Sequence, residues 1–220
     1  YTLAASGTLA NAANSSVTLD LGGVEATKVK LVVSSGYRTD YRELAEFIVM
    51  GVVEPSQVVQ SYGFETPDQG DSGFSYSPSG SVWTFGAGTG LSGPNGPWKC
   101  NSISPDPLGN QFAYLQGANV TISKTLTGLT AGGTYKLSFL ESYRTGTSSG
   151  NDLTVIIDEG LGSEVTIYNN PSVTNATWGG RTTTQFVAAS TSCTVTFRTT
   201  NPLGGDRSTL IDGVKVIEFE

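Results

Sequence analysis

The sequence predicts an all-β protein built as an antiparallel β-sandwich, and three observations support that prediction. In residues 119–126 apolar side chains alternate with serine and threonine, the two-residue period of a strand with one dry face, and the apolar set is Val120, Ile122 and Leu126. Residues 134–140 alternate in the same way, and the glycines of residues 128–133 favour a tight reversal between them. The 220 residues include 28 glycines and only 14% charged residues, a composition typical of short strands joined by turns.

The other strands follow from the same pattern. Residues 68–99 show little regular pattern, and the Trp83 indole within them is expected to pack in the core. Residues 201–207, NPLGGDR, are interpreted as a hairpin turn because glycine and proline favour reversals. The remaining predicted strands cover residues 110–116, 153–158, 164–168, 182–187, 194–198 and 209–219.

Residues 1–55 are predicted to form a smaller β segment, and residues 56–220 the sandwich. The stretch ATKVKLVVSSGYRTDYRELAEFIVMG, residues 26–51, is similar to the last third of a discoidin (coagulation-factor type C) domain. Such a piece buries too little apolar area to offset its chain entropy. We therefore expect the sequence to begin partway through a natural domain, with this segment packed on the larger sandwich; completion by another chain is the alternative. Residues 52–59, interrupted by Pro55, are interpreted as a linker.

A family resemblance covers residues 59–219. A Gly-Asn-Gln strand ending in Leu-Gln, the pair ISKTLTGLTAGGTYKLSF and the closing strand LIDGVKV occur in that order. Together they resemble bacterial extracellular jelly rolls of the galactose-binding-domain-like class, to which many carbohydrate-binding modules belong. The resemblance implies a jelly-roll fold and an extracellular or cell-surface location.

Charge and hydropathy exclude two kinds of partner. The chain has 12 basic and 19 acidic residues, a net charge of −7, and no basic cluster of the kind that nucleic acid requires. No apolar run approaches the roughly 20 residues that cross a bilayer. We expect neither nucleic-acid binding nor membrane insertion. No charged-then-apolar leader opens the sequence, so it is interpreted as mature protein or as part of a longer chain.

The two cysteines leave two possibilities open. Cys193 alternates with apolar residues in a predicted strand, whereas Cys100 lies in a loop rich in proline and glycine. They are either two thiols or a disulfide, and a disulfide would favour an oxidising, exported setting. A metal site built on these two alone is not expected, because zinc needs more ligands and the chain contains no histidine.

The sequence also argues against catalysis. Without histidine, the usual serine and cysteine triads are excluded. A glycosidase needs only two carboxylates, but most of the available ones lie at strand ends beside glycine, where solvated turn residues are ordinary. We expect a non-catalytic protein. The carboxylates in question are Glu141, Asp152, Asp158, Glu159 and Glu164.

Carbohydrate binding is the function that the loops favour. A pyranose presents a C–H face that packs on flat aromatic rings and hydroxyls that planar polar groups recognise. Trp98 lies in GLSGPNGPWKC, a loop stiffened by proline and glycine, and loops on a rigid sandwich commonly carry function. The candidate carbohydrate-binding residues, all predicted at loops or strand ends, are Trp98, Gln111, Tyr143, Arg144, Asn151, Trp178 and Arg181.

A structural calcium ion is implied by the resemblance. In the resembling modules a Phe-Glu dipeptide opens the first strand, and its carboxylate often shares calcium with an aspartate of the final strand. The matching positions are Glu65 and Asp212. Calcium takes 6 to 8 oxygen ligands, so backbone carbonyls would have to complete the shell. The family often has an Asp-Asp pair where this chain has Asp212-Gly213, and the alternative is that both carboxylates are ordinary turn residues.

These observations predict a non-catalytic carbohydrate-binding module of an exported or cell-surface protein, as an accessory domain of a polysaccharide-acting enzyme. Its expected partner is a polysaccharide or glycan. The alternative is a structural subunit of a surface, matrix or filament that associates with copies of itself, because an open sheet edge can be completed by another chain.

Overall fold

The computed structural model describes residues 56–101 and 109–219, together with residues 6, 8, 17, 31 and 32. The chain divides into two compact units between Val52 and Val53, and the described strands all belong to the second. The predicted discoidin-like segment and the predicted domain boundary after residue 55 lie outside the described residues, so both stay predictions.

The described residues form strands and contain no helix, and therefore no helix that could cross a membrane. All strand pairings are antiparallel. The strands are β1 (Ser56–Tyr62), β2 (Phe74–Tyr76), β3 (Thr84–Phe85), β4 (Thr89–Ser92), β5 (Phe112–Gln116), β6 (Val120–Thr127), β7 (Thr134–Tyr143), β8 (Leu153–Ile157), β9 (Val165–Asn170), β10 (Gly179–Thr182), β11 (Phe186–Val187), β12 (Ser192–Thr199) and β13 (Ser208–Phe219).

The strands form two sheets that enclose one apolar interior. The eight-stranded sheet has the order β10-β7-β13-β5-β4-β2, with β1 added on β13 and β11 added on β7. The five-stranded sheet has the order β3-β6-β12-β8-β9. The prediction of an all-β antiparallel sandwich is confirmed.

The predicted alternation identifies the interior correctly. In β6 the apolar parity is buried, and in β7 the buried parity is Tyr135, Leu137 and Phe139. Trp83 is 3% exposed and stacks on Phe64 with 4.9 Å between ring centroids. The prediction that its indole packs in the core is confirmed.

The connections between these strands differ from the prediction. β12 belongs to the five-stranded sheet and β13 to the eight-stranded sheet, so residues 201–207 pass between sheets and are not a hairpin turn. The reversal at 128–133 also passes between sheets, with Gly128 at φ 75° and Gly132 at φ 82°, in the left-handed region that glycine tolerates. Alternation shows which side of a strand is dry, but it does not show which strand lies beside it.

Three strand assignments also need correction. β1 begins at Ser56 within the segment interpreted as a linker, and it pairs with β13 from Ser56↔Phe219 to Tyr62↔Val214. The predicted strand 182–187 is split into β10 and β11, both of which pair with β7. β2 and β4 lie in residues 68–99, where no pattern was found, because their glycine and serine content hides a short alternation.

The two cysteines lie in different apolar clusters and are thiols in this structure. Cys193 is buried in the interior between the sheets, whereas Cys100 is buried with residues on the outer side of the eight-stranded sheet. Burial, with a smaller contribution from Asp158, raises the pKa of Cys193 to about 12. The Cys193 thiol therefore stays protonated, and unreactive as a nucleophile, at neutral pH.

Candidate functional site

The outer side of the eight-stranded sheet carries a second apolar cluster, separate from the interior. Along β5, Ala113 and Leu115 point into the interior, whereas Phe112 and Tyr114 point outward. Successive side chains of a strand alternate between faces, so a strand with both parities buried must be covered on both sides. β5 reads FAYLQ and is buried on both parities for this reason.

Six aromatic rings meet on that outer side, and we call them the aromatic face. Trp98 is its centre: it stacks on Tyr114 with 4.1 Å between ring centroids and 6° between ring planes. Two rings of β2 also pack against Trp98: Tyr76 meets it edge to face and Phe74 is tilted against it. Trp178 packs on Phe112 with 5.4 Å between centroids. The members are Phe74, Tyr76, Trp98, Phe112, Tyr114 and Trp178.

A glycine allows Tyr114 to lie close to the sheet. Gly90 of β4 pairs with both Tyr114 and Tyr76. A Cβ atom at this position would lie 1.9 Å from the carbonyl oxygen of Ser75 and 2.5 Å from the Tyr114 hydroxyl oxygen. Only glycine fits here, which lets the Tyr114 hydroxyl donate to the Ser75 carbonyl at 3.1 Å. Burial, and then Tyr76, raise the pKa of Tyr114, which keeps it a donor.

The rings of the aromatic face differ in their exposure. Phe74 and Tyr76 are each 47% exposed, and Trp178 is half-buried. Trp98 is only 5% exposed, and its Nε1 has no hydrogen-bond acceptor among the described residues. A buried indole N–H usually has a partner. Because Trp98 itself is covered, the rings of the aromatic face that solvent can reach are Phe74, Tyr76 and Trp178.

A chain of polar side chains borders the same face. The Tyr76 hydroxyl donates to Gln116 Oε1 at 2.5 Å, and Gln116 Nε2 donates to Asp206 Oδ1. Arg144 Nη1 donates to Asp206 Oδ2 at 3.1 Å. The guanidinium carbon of Arg144 lies 5.4 Å from the centroid of the Trp98 ring. An aromatic floor with adjacent planar donors and acceptors is the combination expected to bind a sugar.

The structure brings three of the seven predicted carbohydrate-binding residues together. Trp98, Arg144 and Trp178 all lie at the aromatic face. Trp98 is nevertheless covered by its neighbours rather than presented as an open platform. The other four lie elsewhere.

Gln111 and Asn151 are buried and hydrogen-bonded to the backbone. Gln111 Nε2 donates to the carbonyl of Phe64 at 2.5 Å, and Gln111 Oε1 accepts the N–H of Gln69 at 2.8 Å. Asn151 Nδ2 donates to the carbonyl of Arg207 at 3.0 Å. These contacts connect segments that are distant in sequence, so both side chains stabilise loops.

Tyr143 and Arg181 lie on the interior side. Tyr143 packs against the interior cluster. Arg181 Nε donates to Glu141 Oε1 at 2.6 Å, and Glu141 also accepts from Asn170 Nδ2 at 2.9 Å and from the Tyr168 hydroxyl at 3.0 Å. Glu141 is 0% exposed and connects the two sheets, because Tyr168 and Asn170 belong to β9. Burial, and then the charge of Glu141, raise the pKa of Tyr168 to about 12, so its phenol remains a donor.

Several residues of the aromatic face were not predicted. Phe74 and Tyr76 form an alternating Phe-Ser-Tyr triplet, which was the available sequence signal. Tyr114 was predicted only as part of a strand, and Gln116 and Asp206 are 90 residues apart in sequence. Their contact depends on β5 pairing with β13, with Ser208 opposite Gln116.

Glu65 and Asp212, the predicted calcium ligands, lie at the same end of the β5–β13 ladder. Glu65 Oε2 accepts the N–H of Asn110 at 2.9 Å, just before β5 begins. Asp212 is buried, follows the last paired residue Ile211, and accepts the N–H of Gly213 at 2.7 Å. Both offer the hard oxygen atoms that calcium prefers. The described residues contain no group of three or more histidine, cysteine, aspartate or glutamate side chains that could hold a metal.

The described residues form an antiparallel β-sandwich of two sheets, and this fold is similar to that of solved structures. The CBM22-1 xylan-binding domain of Paenibacillus barcinonensis Xyn10C has a TM-score of 0.51 and 13% identity over 77% of this chain and 99% of that chain. The K2 cleaved adhesin domain of Lys-gingipain has a TM-score of 0.50 and 15% identity over 71% of this chain and 98% of that chain.

A third similar structure is the carbohydrate-binding module CBM36 in complex with calcium and xylotriose. Its TM-score is 0.37 and its identity 13%, over 47% of this chain and 78% of that chain. No protein-family model and no curated protein sequence matches the chain. At these identities the similarity shows the shared fold, and the predicted resemblance to jelly rolls of carbohydrate-binding modules is confirmed at that level.

Proposed function

We propose that residues 56–219 form a non-catalytic carbohydrate-binding module and that the glycan binds on the aromatic face. The observation that carries this proposal is the combination of exposed rings and planar polar groups on one side of one sheet. The shared fold with a xylan-binding domain supports the class of ligand. We further propose that the parent protein is exported or exposed at the cell surface and that the module serves a polysaccharide-acting enzyme.

The geometry explains how a sugar would be held. Phe74 and Tyr76 of β2 offer ring surface beside the buried Trp98, and Trp178, just before β10, offers ring surface beside Phe112. The C–H face of a pyranose gains contact area on such rings. Gln116, Asp206 and Arg144 then supply donors and acceptors for the hydroxyls.

The carboxylates support a non-catalytic role. Both oxygens of Glu141 accept hydrogen bonds inside the protein. Asp152 Oδ1 accepts the N–H groups of Thr200 at 2.8 Å and Asn201 at 3.0 Å, and Asp152 Oδ2 accepts the Thr200 hydroxyl at 2.7 Å. Carboxylates held in this way position loops, whereas glycoside hydrolysis needs a pair that flanks a substrate.

Replacing Tyr76 or Trp178 by alanine is expected to weaken glycan binding by about tenfold or more, because central aromatic anchors dominate binding energy. A glycan array identifies the ligand, and titration calorimetry then measures the affinity of each variant. Leu161→Ala is the matched control, since Leu161 is an exposed apolar residue in the β8–β9 connection. Unchanged affinity in both aromatic variants, for a glycan that the wild type binds, would refute this location of the site.

The alternative function is self-association as a structural subunit. Phe74 and Tyr76 lie on β2, the last strand of the eight-stranded sheet path, so a second chain could pair with this strand and cover both rings. Sedimentation velocity separates the two functions. Concentration-dependent assembly that Tyr76→Ala abolishes, without binding to any glycan, favours the structural subunit.

We also propose that Glu65 and Asp212 take part in a structural calcium site. Their oxygen atoms and their shared position at one end of the β5–β13 ladder support this. Calcium is expected to raise the melting temperature, because a ligand that binds only the folded state stabilises it. Melting with calcium and with chelator measures the shift, and Glu65→Gln should remove it. No shift in the wild type would eliminate the calcium site without affecting the glycan proposal.

A further inference from the structure

Two glycine-rich loops are fastened together beside Trp98. Gly93 N–H donates to the carbonyl of Gly73 at 3.0 Å, and Asn95 N–H donates to the carbonyl of Asp71 at 2.9 Å. A Cβ on Gly93 would lie 2.1 Å from the Gly70 carbonyl oxygen. The loop that carries Trp98 is therefore packed directly against residues 70–73.

The side chains of Asn95 and Asp71 form the outer clamp of this contact. Asn95 Nδ2 donates to both carboxylate oxygens of Asp71, at 2.8 and 2.9 Å. A carboxylate only accepts hydrogen bonds, so the amide nitrogen has to face it. Both side chains are exposed to solvent. The clamp holds the loop three residues before Trp98.

The position after Asn95 has little room for a side chain. A Cβ on Gly96 would lie 2.3 Å from the Ser92 hydroxyl oxygen and 3.0 Å from the carbonyl oxygens of Gly73 and Gly93. Packing therefore favours a buried glycine directly after the exposed Asn95, which gives an Asn-Gly dipeptide. Asn-Gly is the sequence in which the following backbone nitrogen reaches the asparagine side chain with least steric hindrance.

We propose that Asn95 is a site of spontaneous deamidation and that Asp71 restrains the reaction while the clamp is closed. The Gly96 nitrogen loses its proton to solvent base and forms a bond to Asn95 Cγ, and the Cγ–Nδ2 bond breaks as Nδ2 takes up a proton from water and leaves as ammonia. Water then opens the resulting succinimide to aspartate or isoaspartate. In the closed clamp, Gly96 N–H donates to the Gly93 carbonyl at 2.9 Å, and Asp71 holds the leaving amide nitrogen. Both groups must separate from their partners before the ring can form.

The product opens the clamp. A carboxylate at position 95 would place oxygen where Nδ2 now lies, at hydrogen-bond distance from both Asp71 oxygens. Two carboxylates so close cannot both remain charged without separating. The other end of the loop keeps its contacts, Thr145 N–H to the Lys99 carbonyl and Asn101 N–H to the Ala176 carbonyl, both at 2.9 Å. Conversion of Asn95 to an acidic residue therefore loosens the part of the loop that precedes Trp98. This effect does not depend on whether the aromatic face binds a glycan.

The first test measures the rate. Wild type and Asp71→Ala are incubated at mildly alkaline pH, and peptide mass spectrometry follows the amide-to-acid mass gain at Asn95, with exposed Asn119 as the internal reference. We expect Asn95 to react about tenfold faster in Asp71→Ala, because hydrogen bonds to a charged acceptor are the stronger kind. Equal rates at Asn95 in the two proteins would overturn the restraint by Asp71.

The second test measures whether an acidic residue at position 95 loosens the loop. Hydrogen exchange of the amides of Asn95 and Gly96 is expected to be about tenfold faster in Asn95→Asp than in wild type. The reversed pair, Asp71→Asn with Asn95→Asp, restores a carboxylate–amide clamp and should return exchange to near the wild-type rate. Protection of β12 amides shows that each variant remains folded. Wild-type exchange in Asn95→Asp, or fast exchange in the reversed pair, would overturn the proposal.

Discussion

Replacing Trp83 by alanine is expected to lower the free energy of unfolding by about 3 to 5 kcal/mol, the range for large aromatic residues in cores. The indole stacks on Phe64 at 4.9 Å and contacts the edges of Phe197 at 5.9 Å and Tyr62 at 6.1 Å. Its Nε1 also donates to the Gly63 carbonyl at 3.3 Å. Alanine would leave a cavity where β1, β3 and β12 meet. Chemical denaturation measures the difference.

The control for this change is the neighbouring residue. Val82 is 62% exposed, so Val82→Ala should change the stability by no more than about 0.5 kcal/mol. Trp83→Phe keeps a stacked ring and should be destabilised less than Trp83→Ala. A loss below about 1 kcal/mol in Trp83→Ala would show that this ring is not part of a tightly packed interior.

Arg181→Met is expected to lower the free energy of unfolding by about 3 kcal/mol, the lower end of the range for breaking a buried ion pair. Glu141 is 0% exposed on its side chain, whereas Arg181 is 30% exposed, so water partly replaces the lost cation. Methionine retains the packing of the arginine stem. The loss of stability therefore measures the cost of leaving the Glu141 carboxylate charged and buried between the two sheets without its cation.

Glu141→Gln tests this explanation, because its effect on the free energy of unfolding should have opposite signs in the wild type and in Arg181→Met. Glu141→Gln in the wild type should be destabilising, because it removes the charge that pairs with Arg181. The same change in Arg181→Met should be stabilising, because it removes a buried charge that has lost its cation. Glu159→Gln, at the more exposed pair with Arg198, should change stability by about 1 kcal/mol or less. Destabilisation by Glu141→Gln in both backgrounds would contradict the explanation.

Local alternation predicted the strands because the pattern repeats every two residues and needs no knowledge of partners. Val120 and Ile122 in β6, and Leu137 and Phe139 in β7, are buried as predicted. The β1, β2 and β4 strands were missed, since β1 begins in the segment interpreted as a linker and β2 and β4 are short strands among glycines. The turn at 201–207 was misassigned because a reversal within one sheet and a passage between sheets use the same residues.

The candidate site was predicted less completely. Trp98 and Trp178 were recognised as loop aromatics, and the structure places both on one face. Tyr143 lies at a strand end, as Arg144 does, yet the alternation within β7 directs it to the interior. Gln111 and Asn151 look like surface amides in sequence, but each bonds to backbone carbonyls of distant segments. The side that Tyr143 faces follows from local alternation, whereas the partners of Gln111 and Asn151 depend on contacts between distant segments.

The sequence by itself determined that this chain forms short antiparallel strands around an apolar interior, because that information is repeated in each strand. The tertiary structure decided which strands lie side by side and which loops meet one another. The stacking of Trp98 on Tyr114 depends on the antiparallel alignment of β4 and β5, with Gly90 opposite Tyr114. The contact between Gln116 and Asp206 joins residues 90 positions apart in the chain, and only the pairing of β5 with β13 brings them together.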